Sequence, residues 1–380
     1  MLGVRYDSGK DNAMEKMIGQ PITVLDTPVP LVDLDALQRN ISRMSSTIIE
    51  EAGVGWRPHT KAMKNPELAR LCLDAGAHGV TCAKLGEAEV MVAAGITDIL
   101  VANEIVGAVK ISRLVTLCEN ADVKVCVDSI NNVREIEQAA RAVGAKPGVL
   151  IEIDVGMGRA GVQPGEPALR LAAEITKLEN IALVGLQTWE SHTLAIEDPV
   201  EKKRQIFDAL SRLTNTAEQI REAGMPLEII SCGGTGTYWI SAFAPGITEI
   251  EAGGGIYGCA RYRHVFGVNV EPALTILSTV TSRPDPKRII CDAGFKTTGK
   301  GFGEPELINC GGVKSFGLSA EHGSITLVGD NWSPRVGDRI EFVPFYSDAT
   351  VFLHDLSLIH ISEPTRPRLS SYAVFCVKKK

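Results

Sequence analysis

The chain has 380 residues, more than one typical domain and enough for a large barrel plus a smaller module. Its 39 basic and 46 acidic residues give a formal net charge of -7, spread without long blocks of one sign, which argues against a nucleic-acid or anionic-membrane partner. A hydrophobic content of 44% supports a packed core. No apolar run approaches the roughly 20 residues of a membrane span. The N-terminal MLGVRYDSGKDNAMEK has no apolar signal-peptide core, so no export is expected. Nine cysteines without a CxxC pair or tight cluster fit reduced, mostly buried thiols and a cytoplasmic protein.

In chain order, strand-like runs are expected at Leu31–Leu34, Trp56–Lys61, Gly79–Lys84, Asp98–Asn103, Lys124–Ser129, Val149–Asp154, Ala182–Trp189, Glu228–Gly233 and Thr248–Gly254. Segments between them, such as NPELARLCLDAGA and LGEAEVMVAAGI, carry apolar residues at helical spacing. Several of these helices close on Ala-Gly pairs ending in Gly76, Gly95 and Gly224, where glycine accepts the left-handed C-terminal position. Such alternation predicts a parallel sheet with helices outside it. Nine strands is one too many for an eight-stranded TIM barrel, so the barrel is taken to open at Trp56–Lys61. After about residue 265 short strands such as ALTILSTVTSRP, KRIICDAG, SITLV and GDRIEFVPF follow one another, the pattern of a separate all-β domain.

The last 25 residues, LSLIHISEPTRPRLSSYAVFCVKKK, break style and show no continuing strand pattern. LIHISEPTRP resembles translated sequencing-adapter read-through. The expectation is that the natural chain was cut near Asp355, that its final strand is missing, and that the unpaired sheet edge left behind costs stability.

Trp56-Arg-Pro-His-Thr-Lys-Ala-Met-Lys64 combines strand residues with basic and imidazole groups, which a buried strand would be penalised for. At the C-terminal mouth of a barrel strand they would line an active site. A lysine there becomes a nucleophile toward aldehydes when partly desolvated. A solvated lysine at a strand end is the commoner case, and Lys64 competes with Lys61. Glycine clusters at Ser231-Cys-Gly-Gly-Thr-Gly-Thr237 and Gly253-Gly-Gly255 allow backbone N–H groups to approach a phosphate, with tight turns as the plain alternative.

With TPVPLVDLDALQRNI, RPHTKAMK, GVTCAKLGEAEV, IEIDVGMGRAGV, SCGGTGTY, EAGGGIYG, CDAGFKT and SAEHG in this order, the chain resembles the fold-type III pyridoxal-phosphate enzymes of the alanine racemase superfamily, in the D-threonine aldolase and D-serine dehydratase branch. The resemblance runs from about Leu25 to Asp355. It implies a pyridoxal-phosphate-binding (β/α)8 TIM barrel over 32–265, and a C-terminal all-β domain of 22–31 with 266–355. Residues 356–380 are then a non-native tail. The Leu31–Leu34 strand joins the β domain, which accounts for the surplus strand.

The resemblance also assigns residues. Lys61 holds the cofactor as a Schiff base, and Arg159 hydrogen-bonds its phenolate oxygen. Gly233, Gly234, Thr235, Gly254 and Gly255 take the phosphate. His192 lies on the β-hydroxyl side of the substrate as a candidate base, with a purely structural role as the plain alternative, and His322 is a further candidate from the β domain. The partner of the pyridine nitrogen is left open. Where the branch carries a metal motif of His-x-Asp or His-x-Cys, this chain reads Tyr346-Ser-Asp348. Asp348 keeps one ligand position, and an oxygen-only set would suit Mg or Mn better than Zn.

The implied reaction is retro-aldol cleavage of small D-3-hydroxy amino acids to glycine and an aldehyde. Dehydration, racemisation with Tyr346 as an opposed base, and a non-catalytic pyridoxal-phosphate-binding protein remain as alternatives. A homodimer is implied as well.

Overall fold

The computed structural model describes residues 20–329, 332–354, 356–361 and 372–378. They form two compact units. One comprises 41–255 with 266–268, and the other the residues up to Asn40, Ile256–Val265 and those from Asn269 onward.

Strand β1 (Val29–Asp33) belongs to the second unit, as expected for the surplus strand. Eight parallel strands then build the first unit: β2 (Gly55–Trp56), β3 (Val80–Cys82), β4 (Asp98–Val101), β5 (Asp122–Val127), β6 (Gly148–Glu152), β7 (Ala182–Gln187), β8 (Ile229–Cys232) and β9 (Glu249–Ile250). The ladder runs β2-β9-β8-β7-β6-β5-β4-β3. It closes through a parallel bridge between His59 and Thr81, where the Thr60 N–H donates to the Thr81 carbonyl at 2.7 Å. The result is the TIM barrel anticipated from the alternating pattern.

Leu100, Cys126 and Leu150, fully buried, fill a layer of the barrel interior. Outer helices bury one stripe; Ile130–Val143 turns Val133, Ile136 and Ala140 inward. Gly76, Gly95 and Gly224 have φ of 101°, 87° and 82°, so the Ala-Gly helix ends do use the left-handed region.

Observed strands stop earlier than their apolar runs, most clearly at β2 and β9. Past Trp56 the chain still bonds its neighbours, with the Arg57 N–H to the Ile250 carbonyl at 2.9 Å and the His59 N–H to the Glu251 carbonyl at 3.0 Å. It then leaves the ladder in a turn at Lys61. Chemistry-bearing residues therefore lie on strand exits rather than inside strands.

The second unit holds β10 (Leu274–Asp285), β11 (Arg288–Cys291), β12 (Glu306–Leu307), β13 (Val313–Leu318), β14 (Gly323–Leu327), β15 (Arg339–Val343), β16 (Leu356–Ile361) and β17 (Tyr372–Lys378). Its main path is β13-β14-β11-β10-β1-β16-β17, with β15 pairing β10 and β12. Phe316 and Phe342 meet edge to face at 4.9 Å within a core that includes Ile276, Val280, Ile289 and Ile325.

One expectation is corrected here. The segment read as lacking strands supplies β16, parallel to β1, and β17, antiparallel to β16, so the β1 edge is paired. LSLIHI is mostly apolar with a break in its alternation at Leu358-Ile359, and a strand edge offers N–H and C=O groups to any chain able to extend beside it.

Candidate active site

The lysine turn is fixed on both sides. Upstream, the Arg57 guanidinium is drawn toward the N-terminal end of the barrel by Glu249 at 3.0 Å and Asp98 at 2.5 Å. Downstream, Asn65 caps the helix Pro66–Asp74 by accepting from the N–H groups of Glu67 and Leu68. Between them the chain must reverse within a few residues, and Lys64 takes a left-handed φ of 44°. Lys64 is spent on an ion pair with Glu87. Lys61, half-buried, carries no ion pair among the described residues. His59 accepts from the Lys61 N–H at 3.4 Å, and burial together with the charge of Lys61 lowers its basicity, keeping the ring neutral.

Arg159 lies on the loop after β6. Asp154 shapes that loop, accepting from the N–H groups of Gly156 and Gly158 at 3.0 and 2.9 Å. The half-exposed guanidinium donates to Glu152 at 3.2 Å. Glu152 in turn contacts Glu104, whose carboxyl is pushed up to about 7 by burial and by the Glu152 charge. His192 is exposed on the β7 exit, with its ring against Gly156, so the structure brings it beside the arginine loop.

The two glycine clusters are adjacent. The Gly255 N–H donates to the Thr235 hydroxyl at 2.9 Å, and the Gly233 N–H donates to Glu190 at 3.2 Å. These two glycines thus contribute space rather than free donors. A Cβ at Gly253 would lie 2.2 Å from the His59 carbonyl oxygen, and one at Gly234 would lie 2.4 Å from the Trp189 ring. Only glycine permits this approach.

Glu251, buried below this rim, is pushed up to about 8 by burial and by Glu249, and so carries a proton at neutral pH. Ser231 donates to it at 2.9 Å. Buried oxygens of Gln187 and Glu104 have no hydrogen-bond partner, which is unusual for a finished interior and usual where a polar ligand completes the set. An amine nucleophile, a cradle closed to any side chain and unmet buried acceptors together fit pyridoxal phosphate.

Sequence reading missed Glu190, Glu251 and the Glu104–Glu152 pair. Glu249-x-Glu251 was the available signal, because acids two apart on a barrel strand share its inward face.

In the other unit, Asp348 accepts from the Tyr346 hydroxyl at 3.1 Å and the Tyr262 hydroxyl at 3.2 Å. Burial, then the Asp348 charge, pushes the Tyr346 phenol up and keeps it protonated. Arg261 stacks on the Tyr346 ring at 4.7 Å. No group of three metal-ligating side chains exists among the described residues. Neutral phenols do not fit a divalent cation, and the expected Mg or Mn finds no complete ligand set there. His322 is exposed in a turn, with its carbonyl accepting from Ser319.

A parallel barrel that presents an amine and a glycine cradle at its C-terminal rim, joined in the same chain to an antiparallel module, defines the fold-type III class of pyridoxal-phosphate enzymes. The alanine racemase N-terminal domain model matches residues 32–261, and a serine dehydratase domain model matches 273–360. The chain belongs to the alanine racemase N-terminal domain family. It is 34% identical to a D-threonine aldolase of Arthrobacter sp, covering 89% of each chain. A 3-hydroxy-D-aspartate aldolase of Paracoccus denitrificans is 30% identical, covering 92% of each. Among solved structures, D-threonine aldolase from Filomicrobium marinum superposes with a TM-score of 0.90 at 32% identity, covering 95% of this chain and 97% of that one. No helix among the described residues is long and apolar enough to cross a membrane.

Proposed function

We propose that the chain is a pyridoxal-phosphate-dependent lyase that splits the Cα–Cβ bond of small D-3-hydroxy amino acids, releasing glycine and an aldehyde. The carrying observation is Lys61, placed at the barrel mouth without an ion pair while its neighbour Lys64 is tied to Glu87. The aldolase relatives supply the reaction class.

When bound, the cofactor supplies an electron sink for bonds at the amino acid's α-carbon. Lys61 would hold the cofactor aldehyde through its amine. Arg159, braced by Glu152, would hydrogen-bond the phenolic oxygen and favour its ionised form. The Thr235 hydroxyl and the backbone at Gly254 would hold the phosphate, with Gly233, Gly234 and Gly255, whose N–H groups are already bonded, giving it room. His192 takes the β-hydroxyl proton of the substrate onto an imidazole nitrogen as the carbon–carbon bond breaks. No step is assigned to a metal, because Asp348 is occupied by two phenols.

The serine dehydratase match favours a second reading, in which the β-hydroxyl departs as water. Incubation with D-threonine, D-serine and D-3-hydroxyaspartate, with and without a chelator, separates the two. Glycine plus aldehyde identifies the aldolase, and ammonia plus an oxo acid the dehydratase. The opposite enantiomer alone would overturn both. Activity that survives the chelator is expected from the donor set around Asp348. A cytoplasmic homodimer is part of the same proposal.

A further inference from the structure

The exit of β7 carries a buried acid with no counter-cation. Glu190 is 0% exposed, and among the described residues its carboxyl oxygens meet backbone and hydroxyl donors rather than a lysine or arginine. Its carboxylate is satisfied by three donors, all from one segment. Oε2 accepts from the Gly233 N–H at 3.2 Å, and Oε1 accepts from the hydroxyls of Thr237 at 2.7 Å and Ser241 at 2.6 Å. A buried carboxylate without a cation is costly unless donors are aimed at it, so this set fixes both partners tightly.

The same hydroxyl relays the constraint. Thr237 Oγ1 donates to Glu190 and accepts from the Gly234 N–H at 3.3 Å. Preceding Glu190 in the chain, Trp189 lays its ring against Gly234. The Trp-Glu pair therefore grips the glycine segment by packing at one residue and by charge-assisted hydrogen bonds at three. Thr235, held between these anchors, is the residue that ties this segment to Gly255.

We propose that Glu190 is a positioning residue for the cofactor's phosphate, holding Gly233–Ser241 in the shape that receives a phosphate monoester. It touches no reacting atom and acts through Gly233, Thr237 and Ser241. This rests on the reading that the glycine segment is the phosphate site.

The test compares pyridoxal phosphate with pyridoxal, which has the same aldehyde but no phosphate. Each is titrated onto purified wild-type protein and Glu190→Gln, and the adduct is trapped with borohydride. Wild type should prefer the phosphorylated form, and Glu190→Gln should lose at least about tenfold of that preference while trapping pyridoxal as before. Thr237→Val, which cuts the relay and keeps the acid, should shift the preference in the same direction, and it carries the test if Glu190→Gln does not fold. A full preference in both variants overturns the inference, as does an equal loss for both aldehydes, which would mean a merely structural carboxylate. A wild type that does not discriminate would instead overturn the phosphate reading itself.

Discussion

At the N-terminal end of the barrel, Arg57 bridges Glu249 and Asp98, Lys124 joins Asp98 at 2.9 Å and Asp122 at 2.7 Å, and His78 reaches Glu249 at 3.0 Å. At the C-terminal end, Glu104 and Glu152 face each other, Glu251 keeps a proton, and Gln187 has an unpaired oxygen. Burial raises carboxyl groups in both places. At the floor the cations outweigh it and hold Asp98 and Glu249 below their ordinary range. At the mouth no cation of comparable closeness reaches Glu251, and its affinity for the proton rises. One end is complete without a ligand and serves stability, whereas the other is left in want of one.

The largest expected effect lies at the mouth. Lys61→Ala should lower activity by on the order of 10³-fold or more and abolish borohydride trapping, with little change in melting temperature. A variant that still traps the cofactor would remove the distinction between the two ends. Next comes the floor. Arg57→Met leaves Glu249 buried with His78 and Ser231 but without its arginine, and should cost about 3–5 kcal/mol in denaturant unfolding. If its loss were confined to activity, the floor would belong to the catalytic machinery.

Acid and base sharpen the contrast. Glu251 holds a proton in the native state up to about 8, whereas in the unfolded chain it gives it up near its ordinary 4.5. Between these values the native state binds more protons, so this group makes stability fall as pH rises, by at most about 1.4 kcal/mol per unit. Glu251→Gln, which stays neutral, should flatten that slope, gaining on wild type from about pH 5 to about pH 8. Glu249 works with the opposite sign. Its depressed pKa gives stability that is present above the ordinary carboxyl range and lost as pH falls through the native value. The penalty of Arg57→Met should therefore shrink in acid, as followed by unfolding across a pH series.

Periodicity made the barrel and its helix ends legible, because apolar runs and Ala-Gly stops report burial and backbone directly. The lysine and glycine motifs could be singled out as candidate chemistry, since a basic strand exit and paired glycine clusters are costly without a use. Glu190 and Glu251 were hidden for one reason. A buried acid reads in sequence like any surface acid, and only the donors that converge on it, such as Thr237 and Ser241 at Glu190, reveal its position. The Leu356–Ile361 strand escaped because pairing at an edge depends on the neighbour's open backbone more than on the segment's own composition.

The smallest expected effect tests the choice between two lysines. Lys64 is partly exposed and paired with Glu87, which also accepts from the Ala83 N–H at 2.8 Å. Removing the amine leaves Glu87, 9% exposed, with that backbone donor and the Thr60 hydroxyl at 3.5 Å, so Lys64→Ala should cost about 1–2 kcal/mol. The φ of 44° adds little to that loss, because alanine tolerates it no better than lysine, so the ion pair accounts for nearly all the change. Cofactor trapping should stay within about twofold of wild type, a shift of under about 0.5 kcal/mol. If trapping instead disappears with Lys64 and survives the loss of Lys61, the mouth has been assigned to the wrong amine, and Glu87 would have to be read as a partner that tunes a nucleophile rather than as a helix-end anchor.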